Sequence, residues 1–177
     1  MFRKKLLGAA FGMTLLAGLV PAATASAAVL PDTAPVVTWQ LDGGVASQNG
    51  NYLGIYGGGT ANGDYANTYK WENVSNQKWY SVLEAPGEYA FENVGSGKCL
   101  EDNGGNVNAR VDQWTCEANH DNELWSEYYN GSYWQLQNVY LWYDAGYYVD
   151  LCSDGNGDGW LHFYNLENGL GASCAWH

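Results

Sequence analysis

After residue 36 the chain alternates short apolar or aromatic runs with clusters of Gly, Asn and Asp, as in YLGIY, EYAFENV, YWQLQNVYLWY and GYYVDLC. None of these runs carries the 3.6-residue apolar period of an amphipathic helix. The pattern predicts short β-strands joined by tight turns, and an all-β fold.

The runs also repeat. TWQLDGG, YAFENVG and YWQLQNV place Leu41, Phe91 and Leu136 at equivalent points. NYLGI, KCLED and YYVDL follow, anchored by Leu53, Leu100 and Val149, and each segment closes on a tryptophan, Trp79, Trp125 or Trp176. From second anchor to closing tryptophan the separations are 26, 25 and 27 residues. Three matches in phase predict three units of about four strands each, at about 37–84, 88–130 and 133–177. No unit can bury its apolar face alone, so the three tryptophans are expected in one shared core. Val111, Leu100 and Phe91 are expected there too.

The first thirty residues read differently. Arg3, Lys4 and Lys5 precede an apolar stretch from Leu6 to Val20, and Ala25-Ser26-Ala27 supplies small residues for cleavage. The stretch falls short of the ~20 residues of a membrane-spanning helix. Residues 1–27 are therefore expected to be a secretory signal, 28–36 a lead, and 37–177 the domain, with an extracellular destination.

Charge narrows the partners. Beyond residue 27 stand four basic and all nineteen acidic residues, a formal charge of about −15. Such a surface repels nucleic acid and anionic membranes. All four cysteines, Cys99, Cys116, Cys152 and Cys174, follow the signal, and an even count in an oxidising compartment reads as two disulfides with three possible pairings. No Cys-x-x-Cys occurs and His120, His162 and His177 are scattered, so no metal or other cofactor is expected. Asp154, Asn156 and Asp158 before Gly159 resemble the first half of an EF-hand loop. The twelfth position is Asn165, however, and the segment is expected to be a solvated turn. Gly-x-Ser-x-Gly and His-Glu-x-x-His are both absent, and the chain is not expected to be an enzyme.

Gln77-Lys78-Trp79 and SGKCLED…VDQWTCEANHDNELW together resemble the ricin B-type lectin family over roughly residues 37–177. The resemblance implies a β-trefoil that binds glycans or cell-surface polysaccharide. It also implies a Cys99–Cys116 disulfide and leaves Cys152 to Cys174, a bond unlike the family's usual placement. Closing a 17-residue loop contributes about 3 kcal/mol in the chain-entropy model. In the family an acid after the second anchor, an aromatic platform and Asn or Gln side chains hold the sugar. The platform takes the ring's C–H face and the carboxylate takes its hydroxyls.

Transferred by position, the third repeat offers Asp150, His162 and Tyr164. The middle repeat offers Glu101, Asp112, Trp114 and Asn122. The first has Gly54 in place of the acid, beside Tyr69 and Asn76, and is expected to bind nothing. Only the first keeps Gln before its closing tryptophan; Glu123 and Cys174 stand in the others. That erosion, with the acidity and the aromatic content, supports a second reading. In it the trefoil docks a secreted protein, as an adaptor, targeting subunit or inhibitor.

Overall fold

A computed structural model describes residues 34–42, 49–103, 109–118, 120–143, 149–153, 161–165 and 174–177. For Trp142, Tyr143, Val149 and residues 161–165 it describes the backbone alone. The signal segment and the Asp154–Asp158 loop lie outside the described residues.

Thirteen short strands follow one another among these residues. They are β1 (Val36–Val37), β2 (Leu41–Asp42), β3 (Tyr52–Ile55), β4 (Asp64–Tyr69), β5 (Trp79–Ala85), β6 (Glu88–Asn93) and β7 (Cys99–Asp102). β8 (Val111–Trp114), β9 (Leu124–Tyr129), β10 (Trp134–Asn138), β11 (Val149–Ser153), β12 (Leu161–Asn165) and β13 (Ala175–Trp176) complete the series. A single turn and a half of helix, α1 (Val139–Tyr143), follows β10.

All pairings are antiparallel, and six of them close a ring. β1 pairs with β5, β5 with β6, β6 with β9, β9 with β10, β10 with β13, and β13 with β2. Because β1 and β2 are two halves of one N-terminal segment, the ring is a closed six-stranded barrel. The chain ends are tied by reciprocal backbone bonds of 2.8 Å between Gln40 and His177. Closure removes the unpaired edges that an open sheet would present. Three hairpins, β3–β4, β7–β8 and β11–β12, lie outside the barrel. This is the predicted β-trefoil.

Turn chemistry helps to set the registers. Pro86-Gly87 joins β5 to β6, with Ala85 opposite Glu88. Proline presets the first turn position and Gly87 supplies the positive φ, +83°, that the second requires.

The core is where the repeat predicts it. Leu41, Phe91, Leu136, Leu53, Leu100, Val111, Trp79, Trp125 and Trp176 are all fully buried and belong to one apolar cluster. Each closing indole N–H donates to the carbonyl of an outer-hairpin residue: Trp79 to Leu53 (3.3 Å), Trp125 to Leu100 (3.0 Å) and Trp176 to Leu151 (2.8 Å). A buried indole with a satisfied N–H combines a large apolar contribution with no desolvation penalty.

These three bonds correct one expectation. The third anchor is Leu151 rather than Val149, which makes its separation from Trp176 the same 25 residues as in the middle repeat. A slip of two residues leaves a strand's inward and outward faces unchanged, so alternation alone does not detect it.

Both disulfides form, Cys99–Cys116 and Cys152–Cys174, with Cα–Cα distances of 5.0 and 4.1 Å. The first clasps β7 to the chain leaving β8; the second clasps β11 to the approach of β13.

Candidate functional site

The indole bonds superpose the three outer hairpins, and the superposition defines equivalent positions. Directly after the anchor stand Gly54, Glu101 and Cys152. Opposite them across the hairpin lie Asn67, Asp112 and His162. Two residues further, on the same strand face, come Tyr69, Trp114 and Tyr164. Two residues before the closing tryptophan stand Gln77, Glu123 and Cys174.

In the first repeat these positions enclose a cleft of about 590 Å³, lined by Tyr56, Asn67, Tyr69, Glu72, Val74 and Asn76 around Gly54. Gly54 forms its floor because the backbone of Asn76 crosses close by. A Cβ at Gly54 would stand 3.0 Å from the Asn76 carbonyl oxygen. Asn76 itself is used internally, donating from Nδ2 to the Ile55 carbonyl (2.8 Å). Gln77 fastens the far wall: its amide donates to the carbonyls of Lys70 (2.8 Å) and Tyr69 (3.3 Å) and accepts from the Glu72 N–H (2.9 Å). Tyr69 presents a 49% exposed ring. Asn67 is 7% exposed, and its amide is not among the side-chain atoms sealed from solvent without a partner. The expectation of an empty first repeat rested on the missing acid; the structure places an open, polar-lined cleft there.

In the middle repeat the structure brings all four expected residues together. Glu101 and Asp112 oppose each other on β7–β8, both buried. Asn122 Nδ2 donates to Glu101 Oε2 (3.0 Å), and Asn103 donates to Asp112 Oδ2. Burial, and then the neighbouring Asp112, raise the Glu101 carboxyl well above the usual range; burial likewise raises Asp112. Two facing carboxyls taken out of water repel each other when both are ionised. Trp114 turns outward with its ring 40% exposed.

Glu123 occupies the slot of Gln77 and does half its work. Its Oε2 accepts the Glu117 N–H (2.8 Å), as Gln77 accepts from Glu72. Its Oε1, where Gln77 has a donating amide, is buried with no hydrogen-bond partner among the described residues. Burial raises this carboxyl to about 7.

The third repeat departs furthest from expectation. Cys152, not Asp150, holds the position after the anchor, and its disulfide to Cys174 joins the acid slot to the Gln slot covalently. Asp150 sits one pleat away, fully buried, with Oδ1 accepting from Gln137 (2.9 Å) and Oδ2 from Gln135. Burial raises it to about 6. Both of its oxygens are occupied by the protein, which removes Asp150 from the candidate site. His162 and Tyr164 do hold the positions equivalent to Asp112 and Trp114 in the backbone register; their side chains lie outside the described residues. Sequence reasoning missed Asn67. The signal was present, since Asn67 precedes Tyr69 by the same two residues as Asp112 precedes Trp114.

The architecture defines the class, a β-trefoil, and comparison with known proteins agrees. Residues 75–160 match the family model described as ricin-type beta-trefoil lectin domain-like. No curated protein matches the sequence. Among solved structures, the designed threefold-symmetric protein ThreeFoil superposes with a TM-score of 0.66 at 21% identity, covering 80% of this chain and 96% of its own. The exo-beta-1,3-galactanase 1,3Gal43A from Clostridium thermocellum gives 0.65 at 20% identity, covering 83% of this chain and 30% of its own. The C-half of the earthworm R-type lectin, solved in complex with GalNAc, gives 0.55 at 13% identity, covering 80% and 95%. The chain thus spans nearly the whole of the two lectin-sized proteins and under a third of the galactanase. At these identities the likeness concerns the fold.

Proposed function

We propose that this protein is an exported, non-catalytic lectin-like module that binds a glycan in the first-repeat cleft and at the middle-repeat pair. The carrying observation is Asn67. It is an amide in the wall of an open cleft, beside the exposed Tyr69. A side-chain amide at a cleft wall has two donors and an acceptor to offer ligand hydroxyls. Tyr69 supplies the apolar plane that a pyranose C–H face requires. The ricin-type sequence match and the GalNAc complex of the earthworm lectin, which shares the fold, support the same reading. The galactanase supports it too, since this fold there forms a minor part of a larger enzyme.

The test is a glycan array followed by calorimetry on protein recovered from culture medium, whose N-terminus is expected at Ala28. Binding of at least one sugar is expected. Asn67→Ala and Tyr69→Ala are each expected to weaken it about tenfold or more, the scale of a lost hydrogen bond with its partner left unpaired, or of a lost stacking plane. A folded protein that binds no sugar would overturn the reading.

A further inference from the structure

Strand register places two aromatic residues at opposite ends of the first-repeat cleft. Tyr69 pairs with Tyr52, and two residues along Gly54 faces Asn67. Tyr56 follows directly after β3 and is 61% exposed. Four residues of extended chain rise about 13 Å, so Tyr69 and Tyr56 stand on either side of the Gly54–Asn67 pair. Both line the cleft. Its 590 Å³ corresponds to on the order of twenty waters, against about twelve more closely packed heavy atoms in a hexose.

Tyr56 is held in place from the neighbouring repeat. It opens the tight turn Tyr56–Gly58, in which Gly57 and Gly58 take φ of +62° and +68°. β4 pairs with β8, Asp64 opposite Gln113, and the Gln113 amide donates to the carbonyls of Gly59 and Ala61, both at 3.1 Å. Ser96 Oγ donates to Gln113 Oε1 (2.6 Å), which sets the direction of that amide. Gln113 is fully buried and cannot itself meet a ligand. Counted from the anchors, Asn103 and Asp154 hold the position of Tyr56 in the other repeats, so the second ring belongs to the first repeat alone.

The lining carries one charged side chain, Glu72, and the chain beyond residue 27 is strongly acidic. Anionic sugars meet repulsion there.

We propose that the first-repeat cleft takes a neutral oligosaccharide of at least two units, one ring on Tyr69 and another on Tyr56, with Gln113 as the positioning residue for the second platform. The proposal rests on the glycan-binding reading and assigns a ligand class to that cleft. A single pyranose is shorter than the separation of the platforms, so only linked units bring a C–H face to each. Asn67, between them, offers its amide to hydroxyls of either unit.

The experiment is calorimetry on protein recovered from culture medium. The probes are three neutral series, xylose, glucose and galactose, each as single sugar, β-1,4-linked disaccharide and trisaccharide. In at least one series a linked sugar is expected to bind about tenfold tighter than the single sugar, the scale of one added stacking contact. Tyr56→Ala is expected to reduce that ratio to within about threefold, and Tyr56→Phe, which keeps the ring, to preserve it. Tyr69→Ala is expected to weaken single and linked sugars alike. Gln113→Met removes both donors at similar size, and is expected to lower the ratio as Tyr56→Ala does. A purely structural role for Gln113 would instead weaken all lengths in proportion.

A gain with length that survives Tyr56→Ala would overturn the proposal, as would trigalacturonic acid binding as tightly as the best neutral trisaccharide. Proportional weakening of every length by Gln113→Met would remove Gln113 from it; should that variant fail to fold, the Tyr56 pair decides alone. If single sugars bind and length adds nothing, this inference fails and the glycan-binding reading stands. If no sugar of any length binds, both fail.

Discussion

Gln77 and Glu123 differ by one functional group, and that difference has a measurable consequence. Both fasten the loop that carries the aromatic platform of their repeat, by accepting a backbone N–H five or six residues upstream. Gln77 also donates to two carbonyls, whereas Glu123 donates only when protonated. Its folded pKa of about 7 exceeds the ordinary carboxyl value, so the folded state holds the proton more tightly than the unfolded state. The stability contributed is full below about pH 4.5 and is lost as the pH rises through about 7. We expect Glu123→Gln to raise stability by about 1–3 kcal/mol at pH 8, because a permanent donor replaces one that ionises. Urea unfolding from pH 5 to 8 checks it: the variant's decline with pH should be shallower than the parent's. Loss of stability at pH 8 would show that the two slots are not equivalent. Sequence pattern identified both positions but gave no account of their work, since an oxygen in place of a nitrogen changes neither size nor periodicity. The same limit applies at Gly54, where an absent side chain read as a lost acceptor and proved to be the floor of a cleft.

At the scale of the hairpins, the first two anchors were legible and the third was not. Leu100 is the one apolar residue in the inward phase of β7, and in β3 Leu53 shares that phase with Ile55, both buried in the core. In β11, Val149 and Leu151 share that phase, and matching Glu101 of KCLED to Asp150 of YYVDL selected the wrong one. What sets the register is the Trp176 indole bond to Leu151, a contact between segments 25 residues apart. The consequence is that Asp150 serves the barrel, as an acceptor for Gln135 and Gln137, and that a disulfide occupies the slot that Glu101 fills in the middle repeat. Asp150→Asn is therefore expected to leave sugar affinity unchanged. It is expected to destabilise the fold by about 1–3 kcal/mol, because a donor replaces an acceptor that two buried amides require. Calorimetry and thermal unfolding of the one variant separate the two effects. A large loss of affinity with intact stability would return Asp150 to the site.

For the molecule as a whole, the repeat predicted in sequence is the repeat found in space. Three large indoles at regular spacing need a common interior, and a barrel closed by pairing β2 with β13 provides one. The symmetry of the core does not extend to the surface. Core positions answer to one shared packing problem, so they keep their residue types. Outward positions answer only to their own ligand, and here they have become a cleft, a carboxyl pair and a disulfide. In the middle repeat the sequence named Glu101, Asp112 and Trp114, which the fold sets on the two strands of one hairpin. In the first repeat the equivalent signal, Asn67 two residues before Tyr69, was hidden by the missing acid at Gly54.

On the proposed function, recognition belongs to the first two outer hairpins, and a disulfide closes the third. Titrating the isotopically labelled protein with galactose and its β-1,4-linked disaccharide, while following backbone amide shifts, tests it directly. Saturable shifts are expected along Gly54–Ile55 and Asn67–Tyr69 and along Glu101–Asp102 and Asp112–Trp114, with Val149–Ser153 unmoved. Shifts confined to Val149–Ser153 and Leu161–Asn165, or no saturable shift anywhere, would contradict it.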